Sequence, residues 1–174
     1  MKTTIKILII LTAVLVATSY RYKQVQEVYF DRHMIAAKEF VHALDPDNDY
    51  LNKLLKGIDY KKPVYIITIK KGTRLIQYQT PNSKQGNFYG YENSTPNDLG
   101  ISPFGWDPIE KRVMEREKRY YIATQDFKGL VSYTAPIVDD WSTPEIETQT
   151  SGHSIQVFTS CKACLSSQGE SNGK

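Results

Sequence analysis

Residues 72–100, GTRLIQYQTPNSKQGNFYGYENSTPNDLG, read as a strand, a polar Pro/Gly loop, an aromatic strand and another turn. So few aliphatic side chains over so long a stretch cannot be justified by core packing. What the run offers instead is amides, hydroxyls, aromatic faces and glycines that let backbone come close to a ligand. A second polar segment, SGHSIQ at residues 151–156, lies near the other end of the chain. The two together predict a cleft assembled from distant parts of the sequence.

With 174 residues the chain is long enough for one domain with a true core and short for two. Its 12 tyrosines and Thr-rich segments favour sheet over helix. A formal charge of +3, mixed in sign along the chain, gives no reason to expect a nucleic-acid partner. Lys2 and Lys6 flank the start of an apolar run over residues 7–17, which ends in Ala17 with Thr18 and Ser19 after it. This is the layout of a signal peptide, shorter than the roughly 20 residues that span a bilayer. The expectation is export to the periplasm or beyond, with cleavage near residues 17–19. The alternative is a retained N-terminal anchor, and membrane contact is expected only through that segment. Export would make a local disulfide the plain reading of Cys161 and Cys164. Free thiols and metal or redox chemistry stay open as alternatives.

From residue 20 to about 44 the pattern is helical, with Met34, Ala37, Val41 and Leu44 on one stripe. Asp45, Pro46 and Asp47 end that helix, and Asp49 is placed to cap a shorter one reaching Leu55 and stopped by Gly57. His33 and His42 read as polar-face residues. Strands are expected over residues 63–69, 74–79, 87–91, 120–124 and 130–134, with 153–158 closing the set. Residues 101–108 read as loop and 110–119 as a solvated charged surface segment. Residues 135–144 read as a loop partly buried through Ile137, Val138 and Trp141. The division is a leader or anchor (1–19), a helical segment (20–60), a β-rich domain (61–165) and a disordered tail (166–174).

The blocks KGTRLIQYQ (71–79), QGNFYG (85–90), STPNDLGI (94–101), YTAPIVDDWSTP (133–144) and SGHSIQVF (151–158) resemble the C-terminal toxin domains of bacterial polymorphic toxin systems. More distantly, their order is similar to the tuberculosis-necrotizing-toxin type of NAD glycohydrolase. The resemblance implies an α+β fold with a small curved β core, ADP-ribosyltransferase-like, behind an N-terminal helical segment. It also implies NAD as the substrate, no prosthetic group, no metal, and a cognate immunity protein as partner. The chain departs from the glycohydrolase pattern at two places. Gln77 stands where an Arg is expected, with Arg74 nearer the glycine, and SGHS replaces a Gly-rich turn.

Cleaving the nicotinamide–ribose bond passes through an oxocarbenium-like transition state. Such a site needs donors for the diphosphate, an aromatic wall and a group that orients ribose or water. Arg74 can fork a phosphate, and Arg74 with Gln77 is read as a paired face of one strand. Gly72 and Thr73 would bring backbone to the ligand. Asn87, Phe88 and Tyr89 offer an amide and rings. Gln156, after the flexible Gly152, would hold a ribose hydroxyl or the attacking water, or simply bond backbone. His153 is an acid, base or phosphate donor, and Trp141 walls a base or anchors its own loop. Glu145 and Glu147 precede the late strand without the paired-carboxylate spacing that protein-directed transferases use. The sequence reading is therefore an exported toxin-like enzyme that hydrolyses NAD. Its alternatives are ADP-ribose transfer to a macromolecule and a non-enzymatic interaction module.

Overall fold

The computed structural model describes residues 2–44, 54–143 and 145–168, with side chains from residue 14 onward. Helix α1 (Lys2–Leu44) is a single helix of 43 residues, about 65 Å long at 1.5 Å per residue. It runs unbroken past residue 19, so no break in the helix marks the expected leader boundary. Among the described residues no helix is long and apolar enough to cross a membrane.

Among the described residues, the C-terminal part of α1 is what meets the sheet. Ala37 and Val41 are buried against Leu55, Ile58, Val64, Leu130 and Phe158, with Phe40 packed alongside. Leu44 is 39% exposed, so the buried part of the expected apolar stripe ends at Val41. His33 is half-buried and accepts a hydrogen bond at Nδ1 from the Val64 amide (3.1 Å). Its polar-face reading is thus corrected: a ring that can accept a lone backbone donor becomes part of the helix's docking contact. The expected stop at residues 45–47 and the cap at Asp49 lie outside the described residues. A short 3-10 turn, Leu55–Gly57, then leads into the sheet.

The strands in chain order are β1 (Tyr65–Ile69), β2 (Arg74–Gln79), β3 (Phe88–Gly90), β4 (Phe104–Asp107), β5 (Arg112–Glu115), β6 (Glu117–Ala123), β7 (Phe127–Tyr133), β8 (Val138–Asp139), β9 (Thr148–Gln149), β10 (Ile155–Phe158) and β11 (Leu165–Gln168). Seven of them form one antiparallel sheet in the order β1-β7-β10-β3-β2-β6-β11. The strands β4–β5 and β8–β9 pair as two separate ribbons.

The connections force this sheet to curl. β6 and β7 stand four strand positions apart, which in a flat sheet is about 19 Å. Only residues 124–126 join them, and four Cα steps reach at most about 14 Å. Closure brings Lys70, after β1, against Asp126, after β6, at 2.7 Å. One cluster inside the curl takes Ile69, Leu75, Tyr89, Tyr121, Phe127, Val157 and Leu165, a residue from every strand of the sheet. The opposite face carries Leu130 and Phe158 and receives α1.

Three expectations are corrected here. Residues 101–119 are not loop and charged surface, because Phe104–Asp107 pairs with Arg112–Glu115. The charges of the second strand point outward, as a two-stranded ribbon allows. β10 sits in the middle of the sheet, between β7 and β3, and does not close it. Residues 166–168 are not a disordered tail, since β11 pairs with β6 from Leu165↔Ala123 to Gln168↔Tyr120. Cys161 and Cys164 are joined by a disulfide. Cys164 is buried in the curl, and its carbonyl accepts the Thr124 amide (2.8 Å).

Candidate active site

Strand β2 separates the residues expected to act together. Leu75, Gln77 and Gln79 alternate into the curl, while Arg74, Ile76 and Tyr78 lie on the other face. Arg74 and Gln77 are three positions apart and so cannot share a face, which corrects the paired reading. Arg74 is exposed at the head of the strand, and Gln77 is buried.

The Gln77 amide is consumed by the loop above it. Its Nε2 donates to the Phe88 carbonyl (2.6 Å), and its Oε1 accepts the Gly86 amide (2.9 Å) and Gln79 Nε2 (2.5 Å). Gln79 also donates to the Lys84 carbonyl and accepts from the Tyr121 hydroxyl. The Tyr89 hydroxyl donates to Gly86 O and accepts from Gln85 Nε2. Residues 84–88 are thereby pinned from beneath by a satisfied amide–tyrosine network. Tyr89 is only 1% exposed, and burial pushes its phenol pKa up. It is a core residue and offers no wall to a ligand. Phe88 is half-buried and packs against Phe158, with ring centroids 5.0 Å apart. Asn87 is half-exposed, and its carbonyl accepts the Thr159 amide.

Gly72 takes φ +87° in the turn before β2, the conformation glycine tolerates best. Its amide donates to Ala123 O, and Thr73 O accepts from Ala123 N. The turn is fixed to the end of β6, and Arg74 emerges beside it.

The two polar segments do meet. Ser94 and Ser154 share a hydroxyl–hydroxyl bond of 2.5 Å. Asn97 brackets Ser151, accepting its amide at Oδ1 (3.1 Å) and donating from Nδ2 to its hydroxyl (3.0 Å). The Asp98 carbonyl accepts from Thr134 Oγ1 (2.6 Å) and the Ser154 amide. The Thr95 hydroxyl and amide hold the Asp98 carboxyl below the usual range. None of Ser94, Asn97, Asp98 or Thr134 stood out in the sequence, because each lies in an ordinary turn-like string and gains meaning only from its partner.

Within this junction the chain makes a tight bend. Gly152 has φ +65°, and a Cβ there would come 2.5 Å from the Ala135 carbonyl carbon, so packing alone demands glycine. His153 follows at φ +73°, a left-handed conformation unusual for a non-glycine residue, with an exposed side chain. Gln156, 4% exposed, donates from Nε2 to Gly57 O (3.2 Å) and Ser132 Oγ (3.3 Å). Its amide nitrogen ties the 3-10 turn to the sheet, leaving Oε1 as the atom with acceptor capacity.

A second polar centre organises the two ribbons. Asp139 is fully buried and accepts from the amides of Ser102, Trp141 and Ser142 and from the Ser142 hydroxyl. The Arg116 guanidinium lies over Gly105, where a Cβ would clash, and donates to Ser142 Oγ (3.0 Å) and Phe104 O (3.3 Å). Burial lowers the Arg116 pKa, and the Asp139 charge opposes that shift. Asp107 is equally buried. It accepts from Asn82 through amide and side chain, and from the amides of Ile109 and Glu110. Trp141, tied at its amide to Asp139, is 60% exposed and does not anchor its loop by burial. Trp106 N donates to Ser142 O (2.8 Å), which sets a second exposed indole residue beside that loop. Glu145 and Glu147 are both exposed, Glu145 at φ +62°. Among the described residues no group of three or more His, Cys, Asp or Glu side chains is placed to hold a metal ion.

A family model described as Bacterial toxin 46 matches residues 23–165. The NAD(P)(+) glycohydrolase toxin Tse6 of Pseudomonas aeruginosa is 31% identical over 127 residues, 72% of this chain and 30% of that protein. The chain thus spans less than a third of the length of this curated relative. The solved structure of Tse6 in complex with Tsi6 is similar at a TM-score of 0.70 and 27% identity, covering 82% of this chain and 98% of that one. The expected α+β domain with a small curved β core and an N-terminal helix matches the fold of that structure.

Proposed function

The chain belongs to the bacterial toxin 46 family, and from that premise we propose that it is an exported toxin enzyme hydrolysing NAD to nicotinamide and ADP-ribose. The observation that carries this reading is the similarity to Tse6, described as an NAD(P)(+) glycohydrolase toxin, over 72% of this chain. The fold likeness over 82% of the chain supports it. Tse6 was solved in complex with Tsi6, and a cognate immunity protein is proposed for this chain on that ground. Export through residues 1–19 belongs to the same reading.

In this reaction water adds to the anomeric carbon as the nicotinamide leaves with the bonding pair, and one proton is released. Arg74, exposed beside the Gly72 turn, supplies a guanidinium fork for the diphosphate. Trp141 presents a base-sized apolar face on a loop that Asp139 holds in place. His153 stands on a rigid bend with its imidazole free to accept the proton released by water. Gln156 Oε1 can accept a hydrogen bond from a ribose hydroxyl or from that water. Gln77 acts beneath the site, keeping residues 86–88 in place through its amide.

The test is nicotinamide release from NAD by the purified chain, with and without candidate acceptor proteins. Release without an acceptor is the expected result. Release that requires an acceptor would replace hydrolysis by ADP-ribose transfer, and no release in either arm would leave the non-enzymatic module. His153→Ala should lower kcat at least about tenfold without lowering the melting temperature. Unchanged turnover would remove His153 from the mechanism.

A further inference from the structure

The curled sheet has two edges of opposite character. β11 carries Leu165, Ser166, Ser167 and Gln168, and its three outer residues are exposed and polar. β1 carries Tyr65, Ile66 and Ile67 in succession, and they are 56%, 45% and 41% exposed. Successive strand residues point to opposite faces, so β1 is apolar and open on both sides of the sheet. Among the described residues it pairs with β7 along one side only, and α1 meets it just before its start, where His33 takes the Val64 amide. Along the other, alternate N–H and C=O groups point away from the sheet. A bare apolar edge of this kind is a template for strand pairing unless something covers it or keeps strands off.

Lysines bracket this edge. The sequence is KKPVYIITIKK over residues 61–71, and Lys128 lies opposite Thr68 on the neighbouring strand. All five lysines are exposed. Lys70 pairs with Asp126, while Lys61, Lys62, Lys71 and Lys128 form no ion pair among the described residues. A second copy of the chain is therefore a poor occupant. Antiparallel pairing of two β1 strands would set Lys61 and Lys62 against Lys70 and Lys71 of the other copy at both ends. Parallel pairing would set each lysine pair against itself, and like charges directly opposite are unfavourable. A strand with carboxylates at both ends has the complementary pattern.

We propose that the β1 edge is a protein-docking site that takes an extended strand from a partner protein. That strand alternates apolar residues and is bracketed by Asp or Glu. Main-chain hydrogen bonds along Tyr65–Ile69 would give the register, Tyr65, Ile66 and Ile67 the apolar contact, and the lysines the selection against copies of the chain itself. Such docking requires nothing of the NAD chemistry and stands or falls separately from it.

The test uses three synthetic peptides with the full chain: EEVTVTVEE, KKVTVTVKK, and EEVTVTVEE with alternate amides N-methylated. Binding is followed by fluorescence anisotropy and by amide hydrogen exchange. The acidic peptide should bind and slow exchange at alternate residues of β1, while the lysine and N-methylated peptides should not. Reversing Lys61, Lys62 and Lys71 to Glu, all at the exposed rim, should weaken the acidic peptide about tenfold and leave the melting temperature unchanged. Equal binding of acidic and basic peptides, protection away from β1, or no binding of the acidic peptide would overturn the proposal. A wild-type dimer in sedimentation with β1 protected would overturn it in favour of a second copy.

Discussion

In the seven-stranded sheet the large side chains most completely removed from solvent are Leu75, Ile76, Tyr89, Leu130, Val157 and Phe158. In the two ribbons beside it the most buried side chains are carboxylates, Asp107 and Asp139, while Phe104, Trp106, Val138 and Trp141 stand in solvent. The sheet is held by area removed from water, which is non-directional and tolerates small shifts. The ribbons are held by carboxylates that each collect several donors, which fixes geometry more tightly than it adds stability. Aromatic side chains are thus left exposed on a framework that cannot easily move, a fitting arrangement for surfaces that contact something else.

Truncation of the sheet core should have the largest effect. Leu130→Ala should cost about 4 kcal/mol and lower the melting of the whole domain, since Leu130 is fully buried where the sheet meets α1. Equal loss at every probe, by tryptophan fluorescence and far-UV dichroism together, is the expected signature. Asp139→Ala should cost about 3 kcal/mol by stranding four donors and removing the charge opposite Arg116. Its damage should stay local, with amide exchange rising around Ser102, Trp141 and Ser142 and little change along β2 and β10. Uniform exchange across both regions would show that the ribbons do not stand apart from the sheet.

The smallest effect is one of pH. Burial raises the Asp107 pKa, but the bonds from Glu110, Asn82 and Ile109 outweigh it and hold the carboxyl well below its ordinary range. The folded value is therefore below the unfolded one. The contribution of Asp107 is present above the ordinary carboxylate pKa of about 3.9 and is lost as pH falls through the folded value. Acid titration should loosen β4–β5, followed through Trp106 emission, before it melts the sheet, and Asp107→Asn should flatten that early phase. An Asp107→Asn ribbon with the wild-type acid response would assign the sensitivity to another group.

The periodicity of residues 34–41 marked the docking stripe of α1, and the alternation of residues 74–79 marked β2 at its observed ends. Both signals are local, set by which side chains fall on one face of a regular element. The ribbon strand Arg112–Glu115 was hidden because a strand exposed along one side has no need of an apolar pattern. β11 was hidden because LSSQ resembles a polar tail until Tyr120, Tyr121, Ile122 and Ala123 supply its partner strand. Gln77 reads as a ligand-facing amide in sequence, yet its amide nitrogen and oxygen both bond within residues 79–88. Asp139 was one acid in an AspAsp pair, and nothing local separates it from the exposed Asp140.

By itself, the sequence determined a helical segment with one apolar stripe, a set of short strands after it and two polar segments rich in groups that can bind. These follow from short-range patterns of apolar and polar residues, where neighbours along the chain decide the outcome. Only the tertiary structure decided that residues 94–98 close on residues 151–154, that Gln77 and Gln156 serve the scaffold with most of their polar atoms, and that β1 is left open at the edge. Those outcomes depend on the curl of the sheet. Connections as short as residues 124–126 impose it, and no local pattern encodes which distant polar group each donor will meet.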